Sequence, residues 1–338
     1  MYKQPRTQLS FFDSIYDRLV RKDHFLRKLN KAVDWSGFDP VLSQLHASQT
    51  GRPAHNPELM FKSLILQFLY DLSDRELEEN INDRVSFRYF LALDLYEKAP
   101  DHSAYCRFRD FLDAESIAEL FNEVVSQARA KKLVGDRLCV VDATHVQAKV
   151  NTYRMNTGRD KDDPDDPPST VDPDARYGHK TKNKPFFGYK VGVGMDKDTD
   201  IVTRVTATPG NEPDSTHFAD VADENAEGVT ADKGYDSPNN FKLIKARKQK
   251  GAIIVKRHRG QKRPNVSAHY TTPSEYSWYY RMKKFRPRVE KIFATAKQWY
   301  GLGKARYHGL AKMKIQALMT MMAMNLKRIV VLHQCVQA

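Results

Sequence analysis

The feature that most constrains the fold of this 338-residue chain is a change in sequence pattern near residue 133. Before it, apolar residues recur at helical spacing, as in NPELMFKSLILQFLYDL (56–72). After it, short β-branched runs alternate with helical segments, beginning with RLCVVDATHV (137–146). Such alternation is typical of a sheet covered by helices. The sequence therefore predicts a helical N-terminal domain, residues 1–132, followed by an α/β domain, residues 133–338.

The α/β domain is predicted to contain a mixed sheet of about five strands. The first strand is the β-branched run just quoted, and the pattern predicts that it ends at Asp142. Segments 186–196 and 200–210 alternate as a β-hairpin does. A short run ending at Asp232 and the run 251–257 supply the last two strands.

Capping signals mark helix starts in the N-terminal domain. Ser73 and Glu76 have the spacing of a capping box, and Asp101 or Ser103 is placed to cap the following helical segment. Short helices with basic faces fit a helix-turn-helix and equally a plain helical bundle. Both readings stay open, and the first would give this domain, residues 1–132, a DNA-binding role.

Charge is distributed unevenly along the chain. The whole chain has a formal net charge of +13, yet residues 245–314 contain 20 lysines and arginines and only two glutamates, a net charge of +18. Clustered cations favour a polyphosphate partner, and a generally basic surface is the alternative. Residues 156–176, rich in aspartate and proline, are predicted to form a loop because they cannot bury apolar surface.

The composition argues against a membrane protein and against a disulfide framework. The most apolar segment, 315–326, is too short to span a bilayer and is predicted to be a buried helix. The three cysteines, Cys106, Cys139 and Cys335, are far apart and form no CxxC pair. This pattern predicts a protein of a reducing cytoplasm.

Three acids are placed for metal chemistry. Asp142 and Asp232 each follow a short apolar run, where the carboxyl ends of strands gather functional groups, although an acid there is ordinarily a turn or cap residue. Glu290 is the only acid in the basic stretch FRPRVEKIFATAKQWYGL (285–302). Mg²⁺ prefers carboxylate oxygens, and two such ions can drive an in-line phosphodiester displacement.

The chain resembles the DDE transposases of bacterial insertion sequences, in the large group that includes InsH. The matching stretches are NPELMFKSLILQFLYDLSDRELEENI, PDHSAYCRFRDF, VVDATHV, DPDARYGHKTKNKPFFGYKVGV, TADKGYDS and RVEKIFATAKQWYGLGKARYHGL. They follow one another in order along nearly the whole chain.

The resemblance implies a ribonuclease H-like catalytic core and metal-dependent DNA chemistry. By motif, the catalytic and metal-binding triad falls on Asp142, Asp232 and Glu290, with two Mg²⁺ ions for which Mn²⁺ can substitute. The implied partner is double-stranded DNA, both the terminal inverted repeats and the target. A homodimer in the synaptic complex and a nucleoid-associated location in a bacterial cytoplasm are also implied.

The family also has a Tyr, Arg, Glu, Lys signature around its glutamate. Arg286 and Lys297 match the arginine and lysine, whereas Lys283 stands where the tyrosine is expected. Both matching cations fall on the helical face of Glu290, where they are predicted to hold phosphates. The other predicted DNA contacts are Lys233, Arg288, Lys283, Lys284 and Trp299.

Two further expectations concern the surroundings of the triad. Asp214 is another acid after a strand, and it is predicted to cap a helix beginning near Ser215. The connection between residues 257 and 285 is predicted to be a compact basic loop or hairpin that touches DNA.

Three functions remain possible at this stage. The first is an active transposase that cleaves DNA at element ends and transfers the 3′-hydroxyl to target DNA. The second is a host nuclease or domesticated DNA-processing enzyme on the same fold. The third is a non-catalytic DNA-binding regulator, which the intact acids disfavour.

Overall fold

A computed structural model describes residues 11–45, 55–94, 96–152, 155, 167–181, 184–257 and 259–337. Most of the predicted acidic loop, 156–166, therefore lies outside the described residues. The chain divides into two compact units, Met1–Ala130 together with Met322–Ala338, and Lys131–Met321. Segment 322–338 thus groups with the helical unit, whereas the sequence analysis assigned it to the α/β domain.

The first unit is helical, and local capping explains where its helices begin. Its helices are α1 (Phe11–Leu19), α2 (Phe25–Ala32), α3 (Asp39–Leu42), α4 (Pro57–Leu69), α5 (Asp74–Asp83), α6 (Val85–Phe90), α7 (His102–Phe111) and α8 (Ala114–Ala130). Ser73 and Glu76 form the predicted capping box of α5, and Asp101 caps α7 by accepting a hydrogen bond from the Ala104 backbone N–H. Fully buried side chains of α4, among them Phe61, build the core of the unit.

The second unit is built on a six-stranded mixed sheet. Its strands are β1 (Cys139–Gln147), β2 (Arg176–Thr181), β3 (Lys184–Asp196), β4 (Val202–Pro209), β5 (Gly228–Ala231) and β6 (Lys250–Ile253). The order is β2-β3-β1-β5-β6, with β4 also pairing with β3. Strands β1, β5 and β6 run parallel, and β3 runs antiparallel to its three partners. This confirms the predicted α/β class and adds β2, a strand that the sequence analysis did not predict.

Helices cover the sheet. They are α9 (Phe218–Val221), α10 (Pro238–Ala246), α11 (Pro273–Met282) and α12 (Arg288–Trp299), and helix α13 (Leu310–Gln337) follows α12 along the chain. One core joins the sheet to the segments from α9 to α11, with Val141, Val229 and Phe218 inside it. Gly194 of β3 allows α9 to approach closely, because a Cβ there would lie 2.0 Å from the carbonyl oxygen of Val221.

One predicted connection in this unit is wrong. The connection 257–285 is not a loop or hairpin throughout, since it contains α11, which starts at Pro273 with a capping box between Thr272 and Glu275. The capping residues and the proline at the first turn supply the local reason for that helix.

Helix α13 extends well beyond the predicted apolar segment. Among the described helices, it alone contains a stretch, Leu310–Cys335, long and apolar enough to cross a membrane. However, 72% of that stretch is buried within the protein, and Met319, Met321 and Met322 are fully buried. This burial confirms the prediction of a buried helix, with methionines that fill the core.

Candidate active site

Strand register brings Asp142 and Asp232 to the same level of the sheet. The parallel pairing of β1 with β5 ends at the pair Val141 and Ala231, and the two aspartates are the next residues on each strand. The prediction that β1 ends at Asp142 is wrong, because its antiparallel pairing with β3 continues to Gln147. Asp142 therefore sits inside a strand at the point where one neighbouring strand stops, which fixes its backbone on one side.

Arg286 links Asp142 to Glu290. Glu290 lies in the first turn of α12, which packs against β1, and Arg286 lies just before that helix. The Arg286 Nη2 donates to Asp142 Oδ2 at 2.8 Å, and its Nη1 donates to Glu290 Oε1. One guanidinium thus bridges two of the predicted metal ligands.

The two bridged acids differ in environment. The Asp142 side chain is 12% exposed and that of Glu290 is 59% exposed. Burial raises the pKa of Asp142 to about 6, while the Arg286 guanidinium acts in the opposite direction. Asp232 and Asp214 raise the pKa of Asp142 further through charge repulsion. The Asp142 carboxyl thus depends on a cation to remain ionised near neutral pH.

A buried phenol, Tyr235, lies among the same acids. Burial raises its pKa well above the ordinary value, and the charges of Asp214, Asp142 and Asp232 act in the same direction. Tyr235 follows Asp232 in a short 3₁₀ turn, Lys233–Tyr235. Burial and the three negative charges therefore keep the Tyr235 phenol protonated.

Asn240 joins the turn that follows Asp232 to the turn that contains Asp214. Its buried amide Nδ2 donates to the Tyr235 carbonyl oxygen at 2.8 Å and to the Ser215 carbonyl oxygen at 3.1 Å. A buried donor with two acceptors holds both turns in place, because breaking either bond would leave a buried polar group unpaired.

Asp214 does not have the predicted capping role. It begins the 3₁₀ turn Asp214–His217, and the N-cap of that turn is Pro213, whose ring has no capping atom. Instead, Asp214 Oδ1 accepts a hydrogen bond from Lys190 Nζ at 2.9 Å. The Lys190 ammonium also donates to the Glu212 carbonyl oxygen. Local sequence could not reveal this pair, because Lys190 lies on β3.

The predicted cations next to the triad divide into two groups. Lys297 Nζ donates to the carbonyl oxygen of His145 on β1 at 2.8 Å, so this side chain reaches the strand of Asp142. Arg288 instead pairs with Asp200 in the turn between β3 and β4, at 2.8 Å, and this pair does not include a residue of the predicted triad. Lys283, at the position expected for tyrosine, places its ammonium 4.0 Å from the ring centroid of Tyr280.

The remaining predicted DNA contacts are on the surface. Lys233 and Lys284 are exposed, and the Trp299 side chain is 64% exposed. Exposure suits a role in DNA contact, and nothing in their surroundings assigns one.

The carboxylates of Asp142, Asp232 and Glu290 have the chemistry of divalent-cation ligands. In this structure the Arg286 guanidinium is the counter-ion of Asp142 and Glu290. Carboxylate oxygens are the ligands that Mg²⁺ and Mn²⁺ prefer. Among the described residues, no group of three or more His, Cys, Asp or Glu side chains is close enough to hold a metal. The guanidinium between Asp142 and Glu290 accounts for the separation of these two acids.

Comparison with known proteins identifies the class. Residues 134–326 match the family described as "Transposase DDE domain", and residues 14–111 match the family described as "Transposase domain (DUF772)". The chain belongs to the DDE transposase family: it is a transposase, an enzyme of the polynucleotidyl transferase type that acts on DNA and uses divalent metal. The predicted family and activity are thereby confirmed, and the nuclease and regulator alternatives are not favoured.

One solved structure that matches is the piggyBac transposase synaptic complex with hairpin DNA. The similarity covers 96% of this chain and 75% of that chain, with 13% sequence identity and a TM-score of 0.39.

Proposed function

We propose that this transposase cleaves DNA at the ends of an insertion sequence and joins the freed 3′-hydroxyl to target DNA, with Asp142, Asp232 and Glu290 as its metal ligands. The observation that carries the proposal is the bridge from Arg286 to Asp142 and Glu290, beside the strand end that carries Asp232. The proposal is supported by two acids joined through one guanidinium and by a third that follows the neighbouring strand, together with a cation matched to phosphate.

The metal we propose is Mg²⁺, with Mn²⁺ as a substitute and two ions in the complete complex. When bound, the ions would polarise the phosphodiester and lower the pKa of the attacking water or hydroxyl. The chain's own residues orient the substrate. Arg286 offers a planar fork of donors to a phosphate, and Lys297 holds the β1 backbone beside Asp142.

We further propose the assembly in which this chemistry takes place. The partner is double-stranded DNA, at terminal inverted repeats and at the target, and two copies of the chain would pair the two ends. The helical region 1–132 would recognise the ends, and the stretch 245–314, with its net charge of +18, would line the DNA path. The location would be the bacterial cytoplasm, in contact with the nucleoid.

The test is a strand-transfer assay of Asp142→Asn, Asp232→Asn and Glu290→Gln, run beside a gel-shift measurement. Each substitution keeps the side-chain shape but removes the charge that a divalent ion needs. All three variants should lose cleavage and strand transfer and should retain DNA binding. Because the acids would act as one unit, double variants should be no worse than single ones.

The matched control is Asp220→Asn, an exposed acid of the same unit that pairs with His217. It should keep wild-type activity. Strand transfer by Glu290→Gln at the wild-type rate would reduce the lone acid of the basic stretch to an ordinary ion-pair partner and would contradict the proposed triad.

A further inference from the structure

A cavity of about 290 Å³ lies in the α/β unit, away from Asp142, Asp232 and Glu290. It is formed by α10, the start of β6, the segment just before α11, and α11 itself as far as Arg281. Its volume is close to the lower end of the range of small-molecule sites, roughly 300–1,000 Å³. The cavity is therefore large enough for one small planar ligand.

The cavity lies near the amino-terminal ends of the parallel strands β5 and β6. The predicted metal ligand Asp232 lies beyond the carboxyl end of β5. Strand β6 begins at Lys250, which lines the cavity and pairs with Gly228 at the start of β5. Strand β5 then runs to Ala231, and Asp232 follows. At about 3.3 Å per residue, Gly228 and Asp232 are roughly 13 Å apart along the strand direction. This cavity is thus distinct from the catalytic edge.

Flat aromatic surfaces form its walls. Phe241 and His269 stack with ring centroids 4.0 Å apart and an angle of 9° between the planes. The Lys250 ammonium lies 5.0 Å from the ring centroid of Trp278, which also lines the cavity. Stacked rings and an indole with a nearby cation are surfaces on which a nucleobase stacks favourably.

Two buried polar atoms of the lining residues have no hydrogen-bond partner among the described residues, namely Trp278 Nε1 and Gln249 Oε1. The Gln249 amide is not free to turn, because its Nε2 donates to the carbonyl oxygens of Asp223 and Ala226, both at 2.7 Å. Its oxygen is therefore fixed as an acceptor, and the indole N–H is a donor. Both atoms are buried, and a donor and an acceptor left unpaired by folding are costly.

The rim of the cavity is cationic. Lys245, Lys250 and Arg281 contribute three positive charges, and Glu275 is the one acid among the lining residues. The Glu275 carboxylate already accepts the backbone N–H groups of Thr271 and Thr272 at the start of α11. The rim therefore has a net charge of +2, which favours an anion such as a phosphate.

We propose that this cavity binds one unpaired nucleotide of the DNA substrate, with the base against the aromatic walls and the phosphate at the cationic rim. The inference uses only the established action of the protein on DNA and does not depend on which acids hold metal. It adds a DNA contact at the amino-terminal ends of β5 and β6. A DNA strand that leaves the proposed catalytic acids would be held there.

The experiment makes Trp278 the reporter. Of the three tryptophans, Trp35 and Trp299 are replaced by phenylalanine in the full-length chain. Emission from Trp278 is then followed, without divalent metal, during titration with a four-residue thymidine oligonucleotide, thymidine monophosphate, thymidine and a blunt duplex. The oligonucleotide should quench Trp278 saturably, and thymidine, which lacks the phosphate, should bind at least about tenfold more weakly.

Variants test the parts of the site. Lys245→Gln combined with Arg281→Gln should weaken oligonucleotide binding about tenfold and reduce its dependence on salt. The matched control, Lys242→Gln, removes an exposed cation from the same helix outside the cavity and should bind as the parent does. Trp278→Phe keeps a ring but loses the indole donor, and it should weaken binding of a labelled oligonucleotide measured by anisotropy.

The outcomes separate the sources of the ligand. Tight binding of the oligonucleotide with weak binding of the monophosphate supports a strand of DNA as the occupant. Equal binding of the monophosphate identifies a free-nucleotide site and overturns the DNA contact. Equal quenching by the blunt duplex, or unchanged Trp278 emission with all four probes, overturns recognition of an unpaired base. Since metal is absent throughout, none of these results bears on the proposed catalytic acids.

Discussion

Replacing Arg286 by glutamine should tighten divalent-metal binding to the DNA-free protein. In the present structure the guanidinium neutralises Asp142 and Glu290, so an incoming ion must compete with it for both acids. Glutamine is a shorter polar side chain and carries no charge. The substitution therefore removes the competing cation while leaving the acids in place.

The magnitude follows from the exposure of the two contacts. A charge-assisted hydrogen bond contributes about 1.5–3 kcal/mol, whereas an exposed ion pair contributes roughly 0–1 kcal/mol. The Asp142 contact is the buried one, at 12% exposure, and the Glu290 contact is discounted because that side chain is 59% exposed. We expect a gain of about 1.4 kcal/mol, which is roughly tenfold in affinity.

Protons can conceal this gain, so the pH must be chosen with care. Arg286 lowers the pKa of Asp142, and its loss will move that pKa above its present value of about 6. A proton would then replace the guanidinium as the competitor near neutral pH. Calorimetric titration with Ca²⁺ or Mn²⁺ at pH 8 should show the tighter binding, and the gain should shrink at pH 6.5.

The control is Arg288→Gln, which removes a nearby arginine paired with Asp200 instead of the triad. It should leave metal affinity unchanged. DNA supplies a second check, because a phosphate that draws Arg286 away should raise metal affinity in the wild-type protein, and this coupling should fall in Arg286→Gln. Equal or weaker metal binding by Arg286→Gln at pH 8 would refute the competition argument.

Three further predictions concern Asp142, Asp214 and the basic stretch. Because burial raises the pKa of Asp142 from 3.8 to about 6, the wild-type protein loses stability as pH rises through this window. The Asp142→Asn variant should lack that loss. Its free energy of unfolding, measured with denaturant, should exceed that of the wild-type protein by about 2–3 kcal/mol at pH 7.5 and should not exceed it at pH 4. Equal stability of the two proteins at both pH values would contradict this prediction. Asp214→Asn removes a charge that raises the Asp142 pKa, so Mn²⁺ binding should persist to lower pH, and an unchanged pH profile would show that Asp214 is electrostatically remote. For residues 245–314, the logarithm of DNA affinity should fall with the logarithm of salt concentration by roughly 0.9 per phosphate contacted, and a flat response would remove this stretch from the DNA path.

Local signals in the sequence determined much of the architecture. Helical periodicity identified α4, and the spacing of Ser73 and Glu76 identified the start of α5, because capping depends on residues within one turn. β-branched runs identified five of the six strands. Motif order identified the family, and charge counting identified the basic stretch, since neither requires knowledge of contacts between distant residues.

Other features were decided by strand pairing. Asp142 lies within β1 because the pairing with β5 ends at Val141, whereas the pairing with β3 continues to Gln147. No local sequence pattern specifies this difference. Strand β2 pairs with β3, and it begins at Arg176, the last residue of the segment whose composition predicts a loop. Helix α11 lay in a region whose cations and aromatic residues obscured a capping box.

The arrangement of the site was decided by tertiary structure alone. Asp142 and Arg286 are 144 residues apart, and the Asp214 partner, Lys190, is supplied by β3. An acid next to a strand can equally be a cap, an ion-pair partner or a metal ligand, because its own sequence neighbours are the same in each case. The distinction depends on burial and on which charges the fold brings near it, and those are set by the packing of the whole unit.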